Sequence, residues 1–192
     1  MGYFDSKENV EQYIKMCEGY DGSAIVEALT RFVPDGATVL EIGMGPGTDL
    51  ALLETRFRAT GSDSSAVFVD RYRELQPDAD VLVLDAVTLD IDRQFDAVFS
   101  NKVLQHLTLD DARRSLAAQH RILAPGGIAF HTLWYGETLE EHHGLRFQQY
   151  TRESFEALLE GRFDLIDSGR YAEDAEGDSL RVVLRRLDGP QP

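Results

Sequence analysis

An α/β protein with a doubly wound, mostly parallel sheet of seven strands is predicted from three observations. The apolar run Val39-Leu40-Glu41-Ile42 feeds directly into Gly43, Gly45 and Gly47, and a buried parallel strand ending in a bare loop is how such sheets meet a ligand. Over residues 39–133 short apolar runs alternate with helical patterns, as expected of parallel strands joined by crossovers. Near the C-terminus, the stretches 163–168, 171–178 and 180–187 read as two strands joined by an acidic loop, without a helix between them, so the pair forms an antiparallel hairpin at the sheet edge.

Each element has a local reason. Two N-terminal helices are predicted at 7–18 and 23–32, separated by Gly19-Tyr20-Asp21-Gly22. Ser23 is the expected N-cap of the second, which places Ile25, Val26 and Leu29 on one face. Pro34-Asp35-Gly36 turns into the first strand. After the glycines, Leu50, Leu53 and Phe57 share a helical spacing over 48–56, and strand 59–62 ends at Asp63. A helix over 64–75 reaches the turn Pro77-Asp78-Ala79, strand 81–84 stops at Asp85, and the fourth strand covers 95–100. The next helix starts at Thr108, with Asp111 three residues later, and runs to Leu123, where Ala124-Pro125-Gly126-Gly127 ends it before strand 128–133. The insert 136–149 reads as a long polar loop, and the tail 188–192 as frayed. The organisation expected is a single domain: a helical lid over 1–35, a ligand-binding core over 36–133, and a substrate loop, helix and hairpin over 134–192.

A chain of 192 residues that is 43% hydrophobic buries one α/β core. No apolar run reaches the length of a membrane span, and the N-terminus lacks a basic segment followed by an apolar one. A cytoplasmic protein, monomeric or homodimeric and without a membrane partner, is expected. The net charge of −15, with only Lys7, Lys15 and Lys102 beside sixteen arginines, disfavours nucleic acid as a partner. It also suits either a saline habitat or simple solubility. The lone Cys17 is read as a small packing residue.

Polar residues recur where successive strands end: Glu41, Asp63, Asp85 and Asn101. Taken singly, Asp63 reads equally as a helix cap beside Ser64 and Asp85 as a turn residue. Together, in a parallel sheet, they face one crevice and point to a nucleoside-type cofactor. Asp63 lies twenty residues past Gly43, where a carboxylate accepts both hydroxyls of a ribose. The glycine spacing is G-x-G-x-G rather than the dinucleotide G-x-G-x-x-G. Glu41 beside it repels a pyrophosphate and attracts a cationic amino acid moiety.

These segments resemble the class I S-adenosylmethionine-dependent methyltransferases of the small, free-standing type. The matching stretches are Val39-Leu40-Glu41-Ile42-Gly43-Met44-Gly45-Pro46-Gly47, Gly61-Ser62-Asp63-Ser64-Ser65 and Leu84-Asp85-Ala86. They continue in Phe95-Asp96-Ala97-Val98-Phe99-Ser100-Asn101 with Leu104-Gln105-His106-Leu107, and in Arg121-Ile122-Leu123-Ala124-Pro125-Gly126-Gly127. The resemblance implies a Rossmann-like fold and S-adenosyl-L-methionine as the cofactor. It also implies that Gly43, Gly45 and Gly47 line the methionine and ribose, with Glu41 near the ammonium. Asp63 would hold the ribose hydroxyls with Ser64 beside the adenosine, Asp85 and the Ala86 amide would meet the adenine, and the Asn101 carbonyl would lie near the methionine portion. Gln105 stands where the family often has a second histidine or a bulky residue, so no substrate is transferred by the resemblance.

On the acceptor side the expected residues are Gln105, His106, His131, Trp134, Tyr135, His142, His143, Arg146 and Tyr150, with Phe4, Tyr13 and Tyr20 in the lid. His106 reads as a general base or as a packing histidine. His131 alternates with Phe130 and Thr132 and reads equally as structural, and Tyr13 and Tyr20 either close over the cofactor or pack in the core. Adjacent His142 and His143 point in different directions and lack a tetrahedral ligand spacing, so no metal is expected. Trp134-Tyr135 and Arg146-Phe147 suit a pocket for a small acidic or planar molecule. The function expected is methyl transfer to a small molecule. The competing readings are a silent cofactor- or partner-binding module and a nicotinamide-dependent oxidoreductase.

Overall fold

The computed structural model describes residues 3–142 and 144–188. His143 and residues 189–192 lie outside the described residues, and with them the expectations for that histidine and for the end of the tail. The chain falls into two units, Met1–Ala86 and Val87–Pro192.

In the first unit a 3₁₀ turn at Tyr3–Asp5 precedes α1 (Lys7–Met16) and α2 (Ser23–Thr30). Then follow β1 (Thr38–Ile42), α3 (Thr48–Glu54), β2 (Arg58–Asp63), α4 (Ala66–Leu75) and β3 (Val81–Val83). The three strands are parallel in the order β3-β2-β1, with Glu41 opposite Gly61 and Asp63 opposite Val83. Met44, Leu50, Val69, Tyr72 and Val81 pack into one buried cluster beneath the glycine loop.

Two starts differ from expectation. Gly22, not Ser23, takes the N-cap position of α2, because the Asp21 side chain already accepts from the Ser23 amide at 2.9 Å. The fourth helix begins at Ala66 because Ser65 is its cap, accepting from the Phe68 amide at 3.4 Å. The Ser65 hydroxyl also donates to the Phe4 carbonyl at 2.6 Å. The Phe4 ring stands 5.1 Å from Tyr13 and 5.5 Å from Phe68, so an aromatic cluster fastens the N-terminal turn and α1 to α4.

The second unit contains β4 (Phe95–Asn101), a 3₁₀ turn at Leu104–His106, α5 (Leu109–Ile122) and β5 (Leu123–Trp134). It continues with β6 (Leu139–His142), β7 (Leu145–Gln148), α6 (Arg152–Glu156), β8 (Phe163–Tyr171) and β9 (Ser179–Arg186). Its sheet order is β4-β5-β9-β8, parallel between β4 and β5 and antiparallel thereafter. The predicted α/β class, with seven sheet strands and an antiparallel C-terminal pair, is therefore found. Thr108 caps α5 as expected, accepting from the Asp111 amide at 3.1 Å.

The second unit departs from expectation twice. Strand β5 begins immediately after α5, at Leu123, and Pro-Gly-Gly sits inside it as a register shift between Leu123 and Ile128. The 136–149 insert is not a loop but the hairpin β6–β7. At its base the Tyr150 amide donates to the Trp134 carbonyl at 2.9 Å.

No helix among the described residues is long and apolar enough to cross a membrane.

Candidate functional site

Where β1 ends, the backbone turns left-handed at Gly43, Gly45 and Gly47, with φ of 71°, 49° and 87°. Only glycine holds such angles without strain. Gly47 has a second reason: a Cβ there would lie 2.1 Å from the Tyr72 ring, which fills the space under the loop. Above Gly45 the nearest side chain is Tyr13, 3.7 Å from where a Cβ would be.

Asp63 holds this loop. Its Oδ2 accepts from the Gly45 amide at 3.0 Å and its Oδ1 from the Ser65 amide at 2.8 Å. A carboxylate has about four lone-pair positions, so each oxygen keeps one acceptor position. Burial raises the Asp63 pKa, and the two amides act in the opposite direction.

Glu41 is 2% exposed and its Oε2 is buried without a hydrogen-bond partner. Burial raises its pKa well above the usual carboxylate range, and the charges of Asp49, Asp63 and Glu54 push it further. Several carboxylates around one bare loop repel one another until a cation arrives. Among the described residues no group of three or more His, Cys, Asp or Glu is placed to hold a metal ion. The arrangement fits an organic cation with a diol, which is the chemistry of S-adenosylmethionine.

Asp49 was not singled out from the sequence. It sits in the first turn of α3, buried at 7% exposure, and accepts from the Tyr20 hydroxyl at 3.5 Å. A Cβ on Gly22 would meet Asp49 Oδ1 at 1.8 Å, so the link between the N-terminal helices is shaped around this carboxylate. The signal was an acid two residues past the last glycine and directly before the buried Leu50. Tyr13 and Tyr20 thus lie against the glycine loop and its acids, in the first unit. Ser64 and Asp85 are exposed and Ala86 is half-buried, at the ends of β2 and β3.

The acceptor-side residues fall in the second unit. Asn101 ends β4, and its side-chain oxygen accepts from the Thr132 hydroxyl. Gln105 is buried, and its Oε1 accepts from the Trp134 amide at 3.2 Å. His131 has no exposed surface, its Nδ1 lies 2.8 Å from the Ser100 hydroxyl, and burial lowers its pKa to about 3. That is a core position, because β5 is buried on both faces from Ile128 to Leu133.

Two aromatic faces are taken by cations of the chain itself. Lys102 Nζ stands 3.4 Å from the Trp134 ring centre and 3.1 Å from Glu173, and the Arg170 guanidinium stands 3.8 Å from the Tyr135 ring centre. His142 is exposed and pairs with Glu140 at 2.9 Å.

His106 is different. Its Nδ1 lies 2.6 Å from the Arg146 carbonyl, which can only accept, so Nδ1 carries the proton and Nε2 keeps its lone pair. Burial lowers its pKa, against the opposing effect of that carbonyl. Phe147 meets the ring edge-on at 4.8 Å.

Comparison with known proteins adds to this geometry. A family model described as a methyltransferase domain matches residues 39–127. A trans-aconitate 2-methyltransferase of Azoarcus sp. is 32% identical over 62% of this chain, and the chain spans 47% of that relative's length. A Burkholderia thailandensis 1,6-didemethyltoxoflavin N1-methyltransferase, solved with S-adenosylhomocysteine, has a TM-score of 0.72 at 24% identity, covering 87% of this chain and 77% of its own. A Haloferax volcanii methyltransferase, solved in complex with the Trm112 activator, has a TM-score of 0.77 at 19% identity, covering 97% and 98%. Residues 39–127, which hold the glycine loop, Glu41 and Asp63, are thereby a class I S-adenosylmethionine-dependent methyltransferase domain.

Proposed function

We propose that this protein transfers a methyl group from S-adenosylmethionine to a small-molecule acceptor. The observation that carries the reading is the buried, unpartnered Glu41 oxygen beside the glycine loop, within a cluster of acids. When bound, the cofactor supplies a methyl group already activated by the sulfonium charge. Glu41 and Asp49 supply negative charge for its cationic part, and Asp63 accepts from the ribose hydroxyls. Gly43, Gly45 and Gly47 let the backbone approach closely, and Tyr13 covers the loop. The chain's remaining task is alignment of the acceptor, with a base only for an acceptor that arrives protonated. His106 is that base, through Nε2. The relatives named for trans-aconitate and for 1,6-didemethyltoxoflavin support a small molecule, and the net charge of −15 supports one that is not a nucleic acid.

Calorimetry tests the cofactor. S-adenosylhomocysteine is expected to bind and NAD is not; silence from both defeats the reading. Transfer of labelled methyl from the cofactor into fractionated metabolites tests turnover, and binding without transfer above a no-enzyme control leaves a silent module instead. His106→Gln is expected to lower kcat about 100-fold while leaving S-adenosylhomocysteine affinity unchanged. A kcat equal to wild type with a protonated acceptor removes His106 as the base.

A further inference from the structure

In the second unit Arg146 Nε and the Tyr150 hydroxyl are buried without a hydrogen-bond partner. Arg181 Nε and Arg186 Nε are too, but their guanidinium ends bond to Asp167 and to the Leu123 carbonyl. Both Arg146 and Tyr150 are tied to the Leu104–His106 turn. Arg146 is tied through its carbonyl, 2.6 Å from His106 Nδ1, and Tyr150 through its amide, which donates to the carbonyl of Trp134, whose own amide donates to Gln105. The charge of Arg146, and after it that of Arg113, acts on the Tyr150 hydroxyl. Burial outweighs both charges and pushes the Tyr150 pKa up to about 12, so this group stays a proton donor near neutral pH. Burying a donor unpaired is unfavourable, and two together mark a place shaped for something rich in acceptor oxygens.

Several other cations of this unit pair with carboxylates. Arg181 lies 2.6 Å from Asp167, Lys102 lies 3.1 Å from Glu173, and Arg113 lies 2.9 Å from Asp110. Arg146 has no ion pair among the described residues, in a chain whose 34 acids outnumber its 19 basic residues. Its backbone is pinned by the 2.6 Å bond between its carbonyl and His106 Nδ1. The Arg146 backbone is therefore held beside the proposed base, and its guanidinium has no carboxylate partner among the described residues.

We propose that Arg146 and Tyr150 form a carboxylate-binding site that holds the methyl acceptor by an anionic group. One guanidinium and one hydroxyl match the charge and two oxygens of a carboxylate. A phosphate's second negative charge would need further cations in so acidic a chain. The word acceptor rests on the methyl-transfer reading, whereas the anion site itself does not.

The test titrates trans-aconitate, fumarate and benzoate into the protein, with and without S-adenosylhomocysteine, beside trimethyl trans-aconitate and inorganic phosphate. At least one acid is expected to bind, and the triester and phosphate are not. Arg146→Gln and Tyr150→Phe are each expected to weaken acid binding about tenfold or more, with S-adenosylhomocysteine affinity unchanged. Tyr150→Phe keeps the ring that stands 5.6 Å from Phe155, so it retains the fold if Arg146→Gln does not, and thermal melts check both. The site is overturned if none of the acids binds, if the triester binds as tightly as its acid, if phosphate binds in their place, or if folded variants bind the acid like wild type. Failure of S-adenosylhomocysteine to bind the wild type defeats the methyl-transfer reading instead. The acid titrations without it still decide the anion site.

Discussion

Asp63→Ala is expected to weaken S-adenosylhomocysteine binding about 30- to 150-fold, or roughly 2–3 kcal/mol. Two losses combine. The ribose hydroxyls lose a buried acceptor pair, and the Gly45 and Ser65 amides lose the oxygens that hold them at 3.0 and 2.8 Å. Titration calorimetry reads the first. Hydrogen exchange at the Gly45 amide reads the second, and is expected to speed up in the ligand-free variant. Asp63→Asn separates them, since one amide oxygen still accepts from a backbone donor while the charge is gone. Unchanged affinity in Asp63→Ala would remove this residue from the cofactor site.

Glu41→Gln is expected to act in opposite directions with and without ligand. The folded-state pKa of Glu41 is raised, first by burial and then by Asp49, Asp63 and Glu54. Below the unfolded carboxylate value both states are protonated and folding carries no penalty. As pH rises from there toward the folded value, the unfolded chain ionises while the folded chain resists, so ligand-free stability falls. The substitution removes that loss. The urea midpoint of ligand-free Glu41→Gln is therefore expected to decline less than that of wild type from about pH 5 to pH 8. Cofactor affinity is expected to drop about tenfold or more, because a cation loses a buried negative partner. Parallel pH profiles for the two ligand-free proteins would sink this account.

The strands and the glycine loop were legible because their causes are local. Val39, Leu40 and Ile42 announce a strand buried on both faces, and an acid among them announces something to pair with. Asp49 was not legible, because an acid in a helix's first turn is ordinary and only folding shows it turned inward against Tyr20. The β6–β7 hairpin escaped because Leu139–His142 is exposed throughout and shows no alternation of apolar and polar residues. Pro125-Gly126-Gly127 reads as a stop, yet pairing with β4 carries the strand assignment through it. His131 could point either way by alternation, and the packing of β5 decided it. The occupation of Trp134 by Lys102 depends on residues 32 positions apart in the chain, beyond the reach of any local pattern. The pairing of Arg146 with Tyr150 is equally tertiary, although both residues were visible as candidates.

A loop with three left-handed glycines should wander through many conformations when nothing restrains it. Here the restraint precedes the ligand, because the Asp63 carboxylate already ties Gly45 to the start of α4. Recognition then begins from a single loop shape, and little backbone freedom is left to be lost on association. The same side chain is both the receptor for the ribose and the reason its receptor is rigid.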